Sequence, residues 1–232
     1  MGLDCSSCPV RDRAACSVLT MDERDALARA GRARKLRRGE LLFAAGDDNA
    51  ACATLLKGAL KVASIDEQGT ERILAVVHPA GFVGELFAPF AHHDVVALTD
   101  SELCVFPKSE IARAVDTHPR LAQALLRRSQ EDLLQSRELL ALSGRRSAAA
   151  KVAGLLLALA AAASDSSCHA ARTFDLPLTR GEIAGMLGLT IETVSRALTR
   201  FERDGVIRRK GARGIELVDP ARLGCLARDG EN

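Results

Sequence analysis

Tryptophan and tyrosine are absent from this chain of 232 residues, and seven phenylalanines bring the aromatic content to only 3%. Proteins that hold single-stranded nucleic acid stack successive bases on aromatic side chains, so that class is disfavoured at the outset. Long hydrophobic runs are missing too. The longest, Val152 to Ala163, has twelve residues and is half alanine, whereas a membrane-spanning helix needs about 20. The N-terminus carries neither the basic start nor the apolar stretch of a secretory signal. Nor does charge of one sign dominate: 32 basic against 30 acidic residues leave a net charge of +2. The 47% hydrophobic content fits a globular protein long enough for two modest domains. Seven cysteines, an odd number without an export signal, point to reduced thiols in the cytoplasm.

Three of those cysteines, Cys5, Cys8 and Cys16, form a C-x2-C-x7-C run ahead of any segment that reads as a packed core. Thiolates so crowded and so far from a core suit a metal centre better than a disulfide staple. A fourth ligand should come from Cys52, Cys104, Cys168 or Cys225.

Beyond this segment, Thr20 and Glu23 have the capping-box spacing and predict a helix to about Ala30. The basic stretch Gly31–Arg38 reads as an exposed strand or turn without a functional role. Short apolar runs then follow at Leu41–Ala44, Ala53–Leu56, Leu60–Ala63, Ile73–Val77, Val95–Leu98 and Leu103–Phe106, separated by glycine-bearing turns. Strands of that length and spacing predict a β-roll of jelly-roll character. Helix resumes near Lys108, and His118-Pro119 opens a long helix to about Ser143. Leu126, Leu133 and Leu140 recur in it at heptad spacing, with polar Ser129 and Ser136 near the half-way positions. That pattern predicts a deliberately weak self-pairing seam.

From Thr179 to Arg213 eight basic residues face four acidic ones, the footprint of a phosphate-contacting surface. Within it, Thr179 caps one short helix, Gly188 turns the chain and Thr190 caps a second. Val194, Ala197, Leu198 and Phe201 would face inward, leaving Glu192, Thr193, Ser195, Arg196 and Thr199 outward. This is a helix-turn-helix arrangement. Glu192 can accept from cytosine N4, Arg196 can pair bidentately with guanine, and Ser195 can touch a thymine methyl or base edge. Arg180, Thr190 and Thr193 join the expected DNA-contacting set. The segment Gly205–Val218 reads as a β-hairpin wing whose Arg208 and Arg209 meet the phosphate backbone.

With these motifs in hand, the chain resembles the Crp–Fnr superfamily of bacterial regulators over nearly its whole length. The anchors are Gly81-Phe-Val-Gly-Glu-Leu86 and the segment Thr179–Arg196, whose Glu192-x-x-Ser195-Arg196 is similar to the branch of fumarate and nitrate reduction regulators. The resemblance implies an α+β fold: a cysteine-rich segment over 1–19, a cyclic-nucleotide-binding-like β-roll (a double-stranded jelly roll) over 20–115, a dimerisation helix over 116–144 and a winged helix-turn-helix over 145–232. It implies double-stranded promoter DNA with TTGAT-type half-sites, a second copy of the chain and RNA polymerase as partners, with no membrane.

It also implies a [4Fe–4S] cluster held by Cys5, Cys8, Cys16 and Cys104, the last at the corresponding late strand of the roll. The x7 spacing is longer than in the enterobacterial member. Gly84-Glu85-Leu86 matches the family's nucleotide cassette, but Asp94-Val95 stands where an Arg-Ser pair would hold the cyclic phosphate. A carboxylate there repels the phosphate, so Glu85 reads as structural and no cyclic nucleotide is expected. Zinc is the rival metal, although Cys104 lacks the near partner that a structural zinc site has. Haem would need one of His78, His92, His93, His118 or His169, none of which is singled out. A clusterless FixK-like or thiol-redox regulator is the alternative within the family. An iron–sulfur enzyme is the alternative outside it, but no nucleophile–base pairing supports it.

Overall fold

The computed structural model describes residues 3–145, 147–164 and 169–228; Cys168 and Arg146 lie outside the described residues. The chain divides into two compact units between Gln135 and Ser136. In the first, a helix α1 (Met21–Ala30) precedes eight strands: β1 (Arg32–Leu36), β2 (Leu41–Phe43), β3 (Ala51–Lys57), β4 (Leu60–Ile65), β5 (Glu71–Val77), β6 (Phe82–Val83), β7 (Asp94–Ala97) and β8 (Ser101–Pro107). Helix α2 (Lys108–Thr117) and the longer α3 (Pro119–Ser143) follow, and the division between the units falls within α3.

The strands form two antiparallel four-stranded sheets, in orders β1-β8-β3-β6 and β2-β7-β4-β5. Alternating residues fill the space between them, among them Leu36, Leu42, Leu55, Leu60, Val95 and Leu103. Since side chains alternate across a strand, β8 sends Leu103 and Val105 into this interior. Cys104 is thereby turned to the outer face, where it packs with Phe106 and Ile111. Each of the six apolar runs singled out in the sequence falls in a strand except for the end residues Ala44 and Leu98; the two-residue β6 was too short to leave a pattern.

Helix α1 starts as its sequence predicts. Glu23 N–H donates to Thr20 Oγ1 at 3.4 Å and Thr20 N–H donates to Glu23 Oε2 at 2.7 Å. The same carboxylate meets Arg120 and, at 3.2 Å, His118 Nδ1. One N-terminal cap thus fastens α1 to the start of α3.

The second unit contains the rest of α3, then α4 (Ala148–Ala162), β9 (Thr173–Asp175), α5 (Arg180–Leu187), α6 (Ile191–Arg203), β10 (Ile207–Lys210), β11 (Gly214–Leu217) and α7 (Pro220–Arg228). The apolar run that is too short for a membrane is α4, which buries Val152, Leu155, Leu156 and Leu159 against α5, α6 and α7. A helix apolar nearly all round belongs in a core. Among the described residues, no helix is long and apolar enough to cross a membrane.

Two glycines separate backbone need from mere permissiveness. Gly84 has φ +115°, and a Cβ there would lie 2.8 Å from Cys52 Cα. Gly185, on the exposed side of α5, has open space and an ordinary φ. Gly84→Ala should therefore destabilise the roll by about 1–3 kcal/mol, from strain plus overlap. Gly185→Ala should leave stability unchanged or raise it by about 0.5–1 kcal/mol. Thermal melts of the two variants beside the native protein check both signs.

Candidate functional site

The N-terminal segment reaches the outer face of the roll through small apolar residues. Val10 and Ala14, each 1% exposed, pack with Ala80 and Leu56, and Cys8 and Cys16 pack beside them. Before this plug, Asp4 holds a tight turn: Ser6 N–H donates to it at 2.9 Å, Ser6 Oγ at 2.6 Å and Ser7 Oγ at 2.7 Å. These donors lower the Asp4 pKa to about 2. The turn fixes the spacing of Cys5 and Cys8. After the plug, a 3₁₀ turn over Ala15–Val18 carries Cys16.

As a result Cys5, Cys8, Cys16 and Cys104 line one apolar cavity, walled also by Leu27, Phe82, Phe106 and Leu121. Cys104 lies opposite Ala33 of β1 and Thr54 of β3 in the sheet register. Burial pushes Cys16 up to about 11 and Cys104 to about 12, with the neighbouring thiols as the next cause; Cys5 is raised for the same reasons. Each charge placed on one sulfur therefore opposes charge on the others, a cost that a bound cationic centre removes. Cys52 is fully buried two residues away on β3, but it does not line this cavity and its upward shift involves no other thiol. Cys225 is exposed on α7. Among the described residues, no three His, Cys, Asp or Glu side chains stand as ligands of a single metal ion.

A neighbour that the sequence did not mark is Arg24 of α1. Its Nε donates to the Leu19 carbonyl at 2.9 Å and its Nη2 to that of Ser17 at 3.4 Å, while Nη1 is buried without a partner. Nothing in the local pattern of a surface helix distinguishes this arginine; only the folded N-terminus encloses it.

In the cleft matching the nucleotide cassette, the two acids already have partners of their own. The Glu85 carboxylate accepts from His92 N–H at 3.1 Å and also meets His92 Nδ1. Asp94 Oδ1 accepts from Ala45 N–H at 2.8 Å. Both acids are thus engaged, and neither offers a cationic fork to a phosphate.

In the second unit, Gly188 takes a left-handed φ of +63° between α5 and α6. Thr190 Oγ1 accepts from Thr193 N–H at 3.2 Å and starts α6. Val194, Leu198 and Phe201 are buried, which turns Glu192 and Arg196 to solvent with Thr193 and Ser195 half-buried between them. Arg196 Nη2 donates to Thr193 Oγ1 at 3.3 Å and Arg180 Nη1 donates to Ser195 Oγ at 3.4 Å. The start of α6, the donor of its own backbone N–H, lowers the Glu192 pKa and keeps it an acceptor. The expected wing is β10 and β11, extended by β9. Here the side chains are more committed than the sequence suggests: Arg209 Nε donates to Glu202 Oε2 at 2.8 Å, and Arg208 and Lys210 share Glu216 at 3.0 and 3.1 Å. Arg213 at the wing turn is exposed.

Residues 33–118 match the cyclic nucleotide-binding domain and residues 150–226 the Crp-like helix-turn-helix domain. The transcriptional activator protein FnrL of Cereibacter sphaeroides is 34% identical over 222 residues, 94% of this chain and 90% of its own. The nitrogen fixation regulation protein FixK of Bradyrhizobium diazoefficiens is 34% identical over 227 residues, 96% of this chain and 93% of its own. Among solved structures, FixK2 of Bradyrhizobium japonicum superposes with a TM-score of 0.75 at 26% identity, covering 84% of this chain and 96% of that one. Relatives matched along both units, a roll at one end and a helix-turn-helix at the other place this chain in the Crp–Fnr family of transcription regulators, not among enzymes.

Proposed function

We propose that this regulator reads oxygen or redox state through a [4Fe–4S] cluster, held by Cys5, Cys8, Cys16 and Cys104, and binds palindromic TTGAT-like promoter sites as a dimer in the cytoplasm. The observation that carries the reading is the meeting of those four thiols, and not Cys52, around one apolar cavity. The donor set fits the group. Soft thiolates suit iron–sulfur centres, and sulfurs spread around a cavity suit a multinuclear core better than a single tetrahedral zinc. When bound, such a cluster supplies a redox-labile charge centre whose loss is chemically coupled to oxidants.

The protein's own part is mechanical. Cys104 belongs to the roll, while the other three thiols belong to a segment packed on it through Val10 and Ala14 and held by hydrogen bonds from Arg24 and Arg128. Arg128 of α3 donates to the Arg13 carbonyl at 3.0 Å, so the state of that segment is felt by the helix bearing the seam. On α3, Leu126, Leu133 and Leu140 are 62%, 50% and 74% exposed, an apolar stripe that a second copy would cover. Three leucines from each copy contribute at most about 9–18 kcal/mol together, of the same order as an association cost of about 4–15 kcal/mol. Dimerisation on this stripe is marginal, so a modest contribution from the cysteine segment decides it. Recruitment of RNA polymerase follows as for the family.

On DNA, Glu192, Ser195 and Arg196 read base edges while Arg180, Thr190, Thr193, Arg208 and Arg213 position the phosphates. Arg209, paired with Glu202 of α6, sets the wing against the recognition helix. With Glu85 and Asp94 committed to their own partners, the roll takes no cyclic nucleotide. The second reading is a clusterless or thiol-redox regulator of FixK type; burial holds the Cys16 and Cys104 thiols protonated, which suits a clusterless member better than a thiol-redox one, since the thiolate is the reactive form.

Single Cys→Ser changes at Cys5, Cys8, Cys16 or Cys104 should abolish cluster retention, whereas Cys52→Ser, Cys168→Ser and Cys225→Ser should keep about four irons and four sulfides per monomer. Iron and sulfide analysis after anaerobic reconstitution decides between the cluster and clusterless readings. On DNA, Arg196→Ala should cost about 1–3 kcal/mol at one base pair of each half-site and relax specificity there. Arg213→Ala should weaken binding to all sequences alike and lower the salt slope by about 0.9 per phosphate lost. Titrations on matched and mismatched duplexes at two salt concentrations measure both; uniform losses for Arg196→Ala would reassign it to the backbone.

A further inference from the structure

Arg24 is the only charged residue among the described residues lining the four-cysteine cavity. Two arms of its guanidinium are spent on the chain that carries Cys16. Nε binds the Leu19 carbonyl and Nη2 the Ser17 carbonyl, so the fork is fixed in place by two acceptors. The third arm, Nη1, is shut off from solvent with no acceptor among the described residues. A buried guanidinium N–H without a partner is costly, and a folded protein keeps such a group where something else completes it. Arg24 lines the same cavity as Cys5, Cys8, Cys16 and Cys104.

We propose that Arg24 is a positioning and tuning residue for the cluster, donating its free Nη1 hydrogens to a sulfur of the bound centre. The inference rests on the cluster reading above. Four thiolates around an iron–sulfur core leave a net negative charge that grows by one on reduction. A cation and hydrogen-bond donor held against the sulfurs stabilises the more reduced, more negative state and raises the reduction potential. A fork already clamped to Ser17 and Leu19 does so without reorganising. The same clamp joins the donor to the segment that carries Cys16, so the electronics of the centre and the fold of the N-terminus share one side chain.

The test uses full-length protein reconstituted anaerobically, as native, Arg24→Lys and Arg24→Met forms, with iron and sulfide content measured first and the midpoint potential then titrated with dithionite. Arg24→Met should lower the midpoint, changing the oxidised-to-reduced ratio at a fixed poise about tenfold, which is about 59 mV for one electron. Arg24→Lys keeps the charge but not the fork, and should lie between the two. Unchanged midpoints in cluster-loaded variants would overturn the inference and leave Arg24 as a clamp for the Ser17–Leu19 turn, with the cluster reading intact. Should Arg24→Met hold no iron, the Arg24→Lys midpoint carries the test: a lowered value supports the role and an unchanged one refutes it. Native protein that holds no iron and sulfide would instead remove the cluster reading, and this inference with it.

Discussion

Everything this chain does with its cysteines depends on one small apolar contact, Val10 and Ala14 against Leu56 and Ala80. The three N-terminal thiols lie in a segment with no regular core of its own. This plug, with the Asp4 turn before it and the Arg24 and Arg128 contacts to the same segment, holds them at the face of the roll that displays Cys104. Two small side chains bury far less than a helix face would, so hydrogen bonds from Arg24 and Arg128 share in holding the segment. On the proposed reading, this segment is the part that responds when four mutually opposing thiols gain or lose a common cationic partner.

The connection outward is short. Arg128 reaches from α3 to the Arg13 carbonyl, one residue from Ala14, and Glu23 ties the start of α1 to that of α3. The cysteine segment and the part of α3 that bears Leu126 and Leu133 are thus linked through named hydrogen bonds and ion pairs within the first unit. Such a chain of contacts gives a coupling free energy a physical route, provided the helix has two states that both ends bias.

Much of the fold was legible because it rests on local rules. The capping boxes at Thr20 and Thr179, the glycine turn at Gly188 and the alternating strands all follow from spacing within a few residues. The inward set Val194, Leu198 and Phe201 follows from the helical period alone. What remained hidden is what distant residues decide together. Strand β6 is two residues long, and β9 is added to the wing from outside it. The ion pairs of Arg208 and Arg209 depend on where Glu202 and Glu216 fall in three dimensions. The choice of Cys104 over Cys52 came with the family resemblance; geometrically it is a matter of which sulfur the N-terminus covers. Arg24 looked like any helix arginine until the chain before it folded over its tip.

The central claim is that the state of the cysteine cavity sets the pairing of α3. Sedimentation equilibrium of the same preparation, first anaerobic and cluster-loaded and then after exposure to air, tests it most directly. The account predicts a monomer–dimer dissociation constant at least tenfold lower in the loaded protein, with Leu133→Ala raising it in both states. Equal constants before and after loss of the cluster would contradict it.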